Sequence, residues 1–331
     1  MKIKTVSQDD FAKFKFFYDQ LYNKENIFYM YFSSNLLHYV VEANKLIPSD
    51  VNIVLVGSCL TEDEAEFINK YLKKPFCSLS GRYREGPIWD LLVGVSEKNF
   101  GWIDIDCFIF NSDIFYELSK INNNDAINAV WYRNYYNEYG INENFASTYI
   151  QFLNVDIINK IKKSHRFTML ALGYPGYCNS INESSMDDKE EDFIKQKYPD
   201  TVKRTVDYID TTHYYQILAI ESGYKINLIR DLTKRKNYHS YEAIHLGEAH
   251  NLHRTLLNYD EGRIHKRFNK RFSYYLLYKN LNILPEQYIS FEQEFRLNLI
   301  ENKLTTDILE IRQKINSYLN RFEIDINLLD L

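Results

Sequence analysis

The sequence predicts an α/β protein with a helical C-terminal extension. Short apolar, β-prone runs bounded by turn formers recur at 51–57, 100–110, 126–132, 147–155 and 224–229. Between them lie segments with apolar residues at helical spacing, and after Gly262 the whole chain reads as helix.

Length and composition narrow the class. With 331 residues, 45% of them apolar, the chain can bury one large α/β core and still carry an appendage. Mean hydropathy is −0.43, and no apolar run approaches the ~18–20 residues of a membrane span. The N-terminus lacks the apolar region of a signal peptide, so the expectation is a cytoplasmic protein. A net charge of −5 gives no general attraction to nucleic acid. Cys59, Cys77, Cys107 and Cys178 are scattered without a C-x-x-C pair, which suits reduced thiols better than disulfides or zinc.

Residues 9–22 read as an amphipathic helix with Phe11, Phe14, Phe17, Tyr18 and Leu21 on one side, while 29–41 fit either helix or strand. Residues 1–50 are accordingly expected to be a mostly helical segment packing on a core domain at 51–250. The run 51–57 is a buried-strand pattern with Gly57 marking a turn at its end, and Thr61 then caps a helix reaching about Leu72. Strand, glycine turn and helix open a nucleotide-binding α/β unit and make Gly57 a candidate contact. Neither G-x-G-x-x-G nor a G-x-x-x-x-G-K-[ST] loop is present. The polar connection 76–86 carries Arg82 and Arg84, either a fork for a phosphate or sugar or two solvated arginines.

A helix over 88–95 then leads into Phe100-Gly101-Trp102-Ile103-Asp104-Ile105-Asp106-Cys107-Phe108. On a continuous strand Asp104 and Asp106 point the same way, with Ile103, Ile105 and Cys107 opposite. Burying either carboxylate uncompensated costs several kcal/mol, roughly, so a divalent cation is the natural counter-charge. Hard oxygen ligands favour Mg²⁺ or Mn²⁺, commonly shared with substrate phosphates. The alternative is that both aspartates cap the strand end by bonding loop amides.

A short helix follows from Ser112-Asp113 to Leu118, then strands at 126–132 and 147–155 and a helix at 156–163. The aromatic loop Arg133–Gly140 suits a sugar surface or a plain hairpin tip. The glycine-, serine- and acid-rich stretch 173–200 reads as a lid or acceptor loop, or as a solvated insertion. Asp210-Thr211-Thr212 provides an N-cap for a helix at 214–222 that stops at Gly223, with a last strand at 224–229. His239, His245, His250 and His253 do not follow H-E-x-x-H, but one imidazole could complete a carboxylate-held octahedral site. Beyond Gly262, Arg263, Lys266, Arg267, Lys270 and Arg271 interleave with aromatics. That face suits a peripheral membrane surface, an anionic acceptor or plain solvent. Residues 290–329 read as a helical hairpin for packing on the core or on a second subunit.

Three separated features agree in order: Asp104-x-Asp106, the segment from Asp210 to Gly223-Tyr224-Lys225, and Ile244-His245-Leu246-Gly247. Together they resemble GT-A fold glycosyltransferases. The resemblance implies a GT-A-like nucleotide-binding sandwich with a mixed central sheet, a Mn²⁺ or Mg²⁺ ion, and a UDP- or GDP-sugar as donor. It implies metal ligation by Asp106, Asp104 (directly, or to the ribose or through water) and His245, with Asp210 as the acid facing the acceptor. Gly57, Arg82 and Arg84 complete the expected donor contacts. The family's usual Glu-Asp pair is Ile209-Asp210 here. The acceptor is left open among glycan, protein, lipid and small molecule. Two other readings stay open, a metal-dependent nucleotidyltransferase and a catalytically silent nucleotide-sugar-binding protein.

Overall fold

A computed structural model describes residues 5–33, 36–134, 144–165, 168–169, 210–230 and 242–245. The expected loop at 173–200, the histidines 239, 250 and 253, and the C-terminal helices at 251–331 lie outside the described residues. So do the peripheral membrane face and the second-subunit contact placed on them.

The chain divides into two compact units. The first comprises Met1–Ser34, Ser49–Asp104 and Asp113–Thr233 and holds a seven-stranded mixed sheet. Its strands are β1 (Ile27–Ser33), β2 (Ile53–Ser58), β3 (Phe76–Leu79), β4 (Phe100–Ile103), β6 (Asp125–Ala129), β9 (Ile150–Leu153) and β10 (Lys225–Leu228). Their order is β10-β6-β9-β4-β1-β2-β3. β3, β2, β1 and β4 run parallel, β9 is antiparallel to both β4 and β6, and β10 is parallel to β6. The α/β expectation with a mixed central sheet is borne out. A small antiparallel pair, β7 (Tyr132–Asn134) with β8 (Asn144–Ala146), belongs to the same unit.

Helices α1 (Gln8–Asp19), α3 (Glu62–Phe67), α4 (Glu85–Val95), α5 (Asp113–Ser119), α6 (Val155–Ser164) and α7 (His213–Glu221) belong to the same unit. Thr61 closes a capping box with Glu64, and a π-helical turn, Ile68–Leu72, carries α3 on to the expected end. Gly223 terminates α7 at φ 83°, the left-handed position its sequence context calls for. The second unit comprises Asn35–Pro48, Ile105–Ser112 and Lys234–Leu331. Its described elements are α2 (Leu37–Lys45) and the antiparallel pair β5 (Cys107–Ile109) with β11 (Ala243–His245).

Three expectations are corrected. Residues 29–41 divide into β1 and α2, and β1 lies between β4 and β2 in the main sheet, so 27–33 are part of the core itself. Residues 76–79, read as loop, form the edge strand β3. Gly57 is not in a turn but inside β2, in register with Phe32 and Ser78. A Cβ there would come within 2.5 Å of Leu60 Cδ1 and 3.0 Å of Phe76 Cε2, so close packing accounts for this glycine.

The core is rich in aromatics because β1 is apolar on both faces, as a central parallel strand must be. Trp89 of α4 stacks on Trp102 of β4 with ring centroids 4.5 Å apart, and Phe28 meets Phe115 of α5 edge to face.

Candidate active site

The Asp104-Asp106 segment does not form one strand. β4 ends at Ile103, residues 104–106 turn, and β5 begins at Cys107 as part of a different sheet. The expectation of two carboxylates on one face of a continuous β-segment is therefore corrected; a turn joins them instead. β4 lies on the opposite side of β1 from β2 and β3, so strand order reverses between β1 and β4. Ligands of open α/β sheets bind at such a switch point, outside the carboxyl ends of the strands. Asp104 is the first residue beyond that end of β4.

Each carboxylate has its own support. Asp104 is half-buried; its amide donates to the Tyr149 carbonyl at 2.8 Å, and its Oδ1 accepts from Trp102 Nε1 at 2.5 Å. Asp106 is buried, with its Oδ1 3.2 Å from Nε2 of the equally buried His245. The ladder sets that contact, since His245 pairs with Cys107, the neighbour of Asp106. Glu242 fixes the start of β11: its carbonyl accepts from the Phe110 and Asn111 amides, and its carboxylate accepts from Asn111 Nδ2 at 2.8 Å.

One ligand atom from each of Asp104, Asp106 and His245 lies within 4.8 Å of the others. These three side chains are the ones that could hold a divalent cation here. Two carboxylates with one imidazole suit Mn²⁺ or Mg²⁺ as a donor set.

The remaining expected contacts are placed separately. Arg82 and Arg84 lie in the turn between β3 and α4, Arg82 exposed and Arg84 half-buried. A residue missed from sequence, Asp10 of α1, organises this turn. Its carboxylate accepts from the Ser80 and Gly81 amides, both at 2.8 Å, and from the Tyr83 hydroxyl at 2.6 Å. Burial alone would raise the Asp10 pKa, but these donors, the Tyr83 hydroxyl foremost, outweigh it and hold the group below its ordinary value. From the strand side, Ser58 Oγ donates to the Gly81 carbonyl and accepts from the Tyr83 amide, and Tyr31 donates to the Tyr83 carbonyl. Cys59, exposed just past β2, directs its thiol at the Ser80 carbonyl at 3.2 Å.

Asp210 precedes α7, but Thr212 holds the cap position. Asp210 Oδ1 accepts from the Thr211 amide at 2.8 Å and its carbonyl from the His213 amide at 3.0 Å. His213 is buried against Phe145, with ring centroids 5.3 Å apart. Gln151 of β9, in register with Trp102, is also wholly buried, and neither end of its amide finds a partner among the described residues. The Trp102–Asp104 contact had a local signal, because the two residues stand two apart in an alternating β-prone run.

Comparison with known proteins bears out the glycosyltransferase resemblance. Residues 4–158 match the family model of the StrH glycosyltransferase N-terminal domain. Over 103 residues, 31% of this chain, the sequence is 30% identical to dTDP-dihydrostreptose–streptidine-6-phosphate dihydrostreptosyltransferase of Streptomyces griseus. That match covers 27% of the relative, so the chain spans little more than a quarter of its length. A Bacillus anthracis structure named as a glucose-1-phosphate thymidylyltransferase aligns with 59% of this chain and 95% of its own, at 12% identity. Its TM-score is 0.31, too low to bear on fold or function.

Proposed function

We propose that this protein is a metal-dependent glycosyltransferase that moves a sugar from a nucleoside-diphosphate sugar to an acceptor hydroxyl. Its catalytic region would be 51–250 completed by β1, with 251–331 as a helical extension. The observation that carries the reading is the buried Asp106–His245 contact of 3.2 Å, two residues beyond an aspartate at the carboxyl end of β4. The match of residues 4–158 to a glycosyltransferase domain supports it.

Asp104, Asp106 and His245 would hold the ion. When bound, Mn²⁺ or Mg²⁺ supplies Lewis-acid stabilisation of the charge that develops on the departing diphosphate. Trp102 orients Asp104 through its indole N–H, as outer-shell partners of metal ligands do. Arg82 and Arg84, on the turn anchored by Asp10, offer guanidinium groups to the diphosphate or sugar. In an inverting reaction Asp210 takes the acceptor hydroxyl proton; in a retaining one it orients the acceptor. The relative's name makes a thymidine-diphosphate sugar the first donor to test, with uridine- and guanosine-diphosphate sugars beside it.

The decisive experiment measures nucleoside-diphosphate release from each donor, with and without Mn²⁺, for native protein and Asp106→Ala. Release by native protein alone, dependent on Mn²⁺, is the expected result. Unchanged turnover in Asp106→Ala overturns the site. Pyrophosphate formation from a sugar 1-phosphate and a nucleoside triphosphate replaces the reading with nucleotidyl transfer. Calorimetry that detects no nucleoside diphosphate, with or without Mn²⁺, leaves a catalytically silent protein.

A further inference from the structure

We propose that Gln216 is a positioning residue: it holds Thr212 in a left-handed turn and thereby sets where Asp210 presents its carboxylate. The proposal rests on the reading of Asp210 as the acid that faces the acceptor. Among the described residues four non-glycines have positive φ. Asn26, Cys59 and Lys73 are exposed, whereas Thr212, at φ 68°, is wholly buried and is the β-branched one. A β-branched side chain in that region is strained, and such strain persists only where the surroundings over-determine it.

Those surroundings are on view. The Thr212 amide donates to the Met169 carbonyl at 2.9 Å, and its carbonyl accepts the Gln216 amide at 3.1 Å. The Thr212 hydroxyl forms no cap bond; its oxygen accepts instead from Gln216 Nε2 at 3.2 Å. Gln216 is itself wholly buried and grips Ala146 of β8 by both backbone groups, Nε2 to the carbonyl at 3.0 Å and Oε1 from the amide at 2.8 Å. One side-chain amide thus ties β8, the first turn of α7 and the left-handed residue together. A right-handed Thr212 would let α7 extend backwards through Thr211, and Asp210 would become its N-cap, with the carboxylate drawn to the helix's own amides. The reversal turns the chain off the helix axis, two residues after Asp210.

The test uses the full chain, a thymidine-diphosphate sugar as probe donor and water as acceptor, together with thermal unfolding. Gln216→Leu should lower kcat about tenfold while leaving donor KM nearly unchanged. Glycine adopts positive φ without strain, so Thr212→Gly should retain most of the turnover. In the Thr212→Gly background Gln216→Leu should cost roughly threefold or less, and its destabilisation should shrink in parallel. Thr212→Val keeps the strain but loses the hydroxyl acceptor, and should lose turnover although it folds. Equal losses in both backgrounds overturn the proposal, as does a Thr212→Gly protein as impaired as Thr212→Val. If native protein turns over no donor, or Asp210→Asn is fully active, the glycosyl-transfer reading fails, and the stability cycle still decides the role of Gln216.

Discussion

Trp102 donates its indole N–H to Asp104 while its ring stacks on Trp89. One side chain thus belongs to the core through its face and to the candidate metal centre through its edge. Trp102→Phe keeps the stacking and removes the donor. Mn²⁺ affinity measured by calorimetry should fall about tenfold, within the usual range for an outer-shell partner. Thermal stability should fall by about 2–3 kcal/mol, from the lost hydrogen bond and the space the smaller ring leaves in the core.

The imidazole and the carboxylate that meet across the β5–β11 boundary should not be equivalent as ligands. Removing Asp106 deletes a negative charge as well as a donor atom, whereas His245 binds a metal as a neutral group. Mn²⁺ titrations of Asp106→Ala and His245→Ala should both show weaker binding, with the larger loss in Asp106→Ala. The reverse order would point to an ion held mainly by nitrogen.

Asp10 is far in sequence from the turn it organises. Asp10→Ala deprives the Ser80 and Gly81 amides and the Tyr83 hydroxyl of their acceptor, a loss of about 2–4 kcal/mol by urea unfolding. Because folding depresses the Asp10 pKa, its stabilisation is present above the ordinary carboxylate value and is lost as pH falls through the folded value. If Arg82 and Arg84 contact the donor, the same variant should raise donor KM several-fold with a smaller change in kcat.

Asp90 of α4 gives the opposite pH dependence. Burial pushes its carboxyl up to about 6, against the pull of the Met169 amide, the Thr168 hydroxyl and Lys162. A raised carboxyl pKa favours the protonated folded state, so this contribution is full at low pH and lost as pH rises through about 6. Acidification from pH 7 to pH 5 should therefore stabilise the protein through this group, by about 1 kcal/mol. In Asp90→Asn that increment should vanish from the unfolding curves.

Much of the fold is legible in the chain because its signals are local. The run 51–57, the caps at Thr61 and Gly223 and the helix after Pro87 carry their own punctuation. The break between Ile103 and Cys107 is different. No glycine or proline marks it, and alternation runs through it undisturbed, because β9 and β11 impose it by pairing with the two halves. The same applies to Thr212, whose left-handed turn contradicts its own preference and is enforced by Gln216 and Met169 from outside. Asp104 and Asp106 could be named as candidate ligands because metal ligation limits residue type, and only the family resemblance singled out His245 among the late histidines. Asp10, Gln216 and Glu242 were not readable, since each acts through backbone amides or carbonyls far away in sequence, and such bonds leave no pattern.

The exposed thiol of Cys59 offers a practical handle. Cys77 and Cys107 are buried, and burial pushes the Cys77 thiol up to about 11, so both should resist alkylation at neutral pH. With Cys178 changed to serine, an environment-sensitive fluorophore attached at Cys59 would sit beside the Ser80 carbonyl. It would make the arginine-bearing turn an optical reporter of donor arrival in real time.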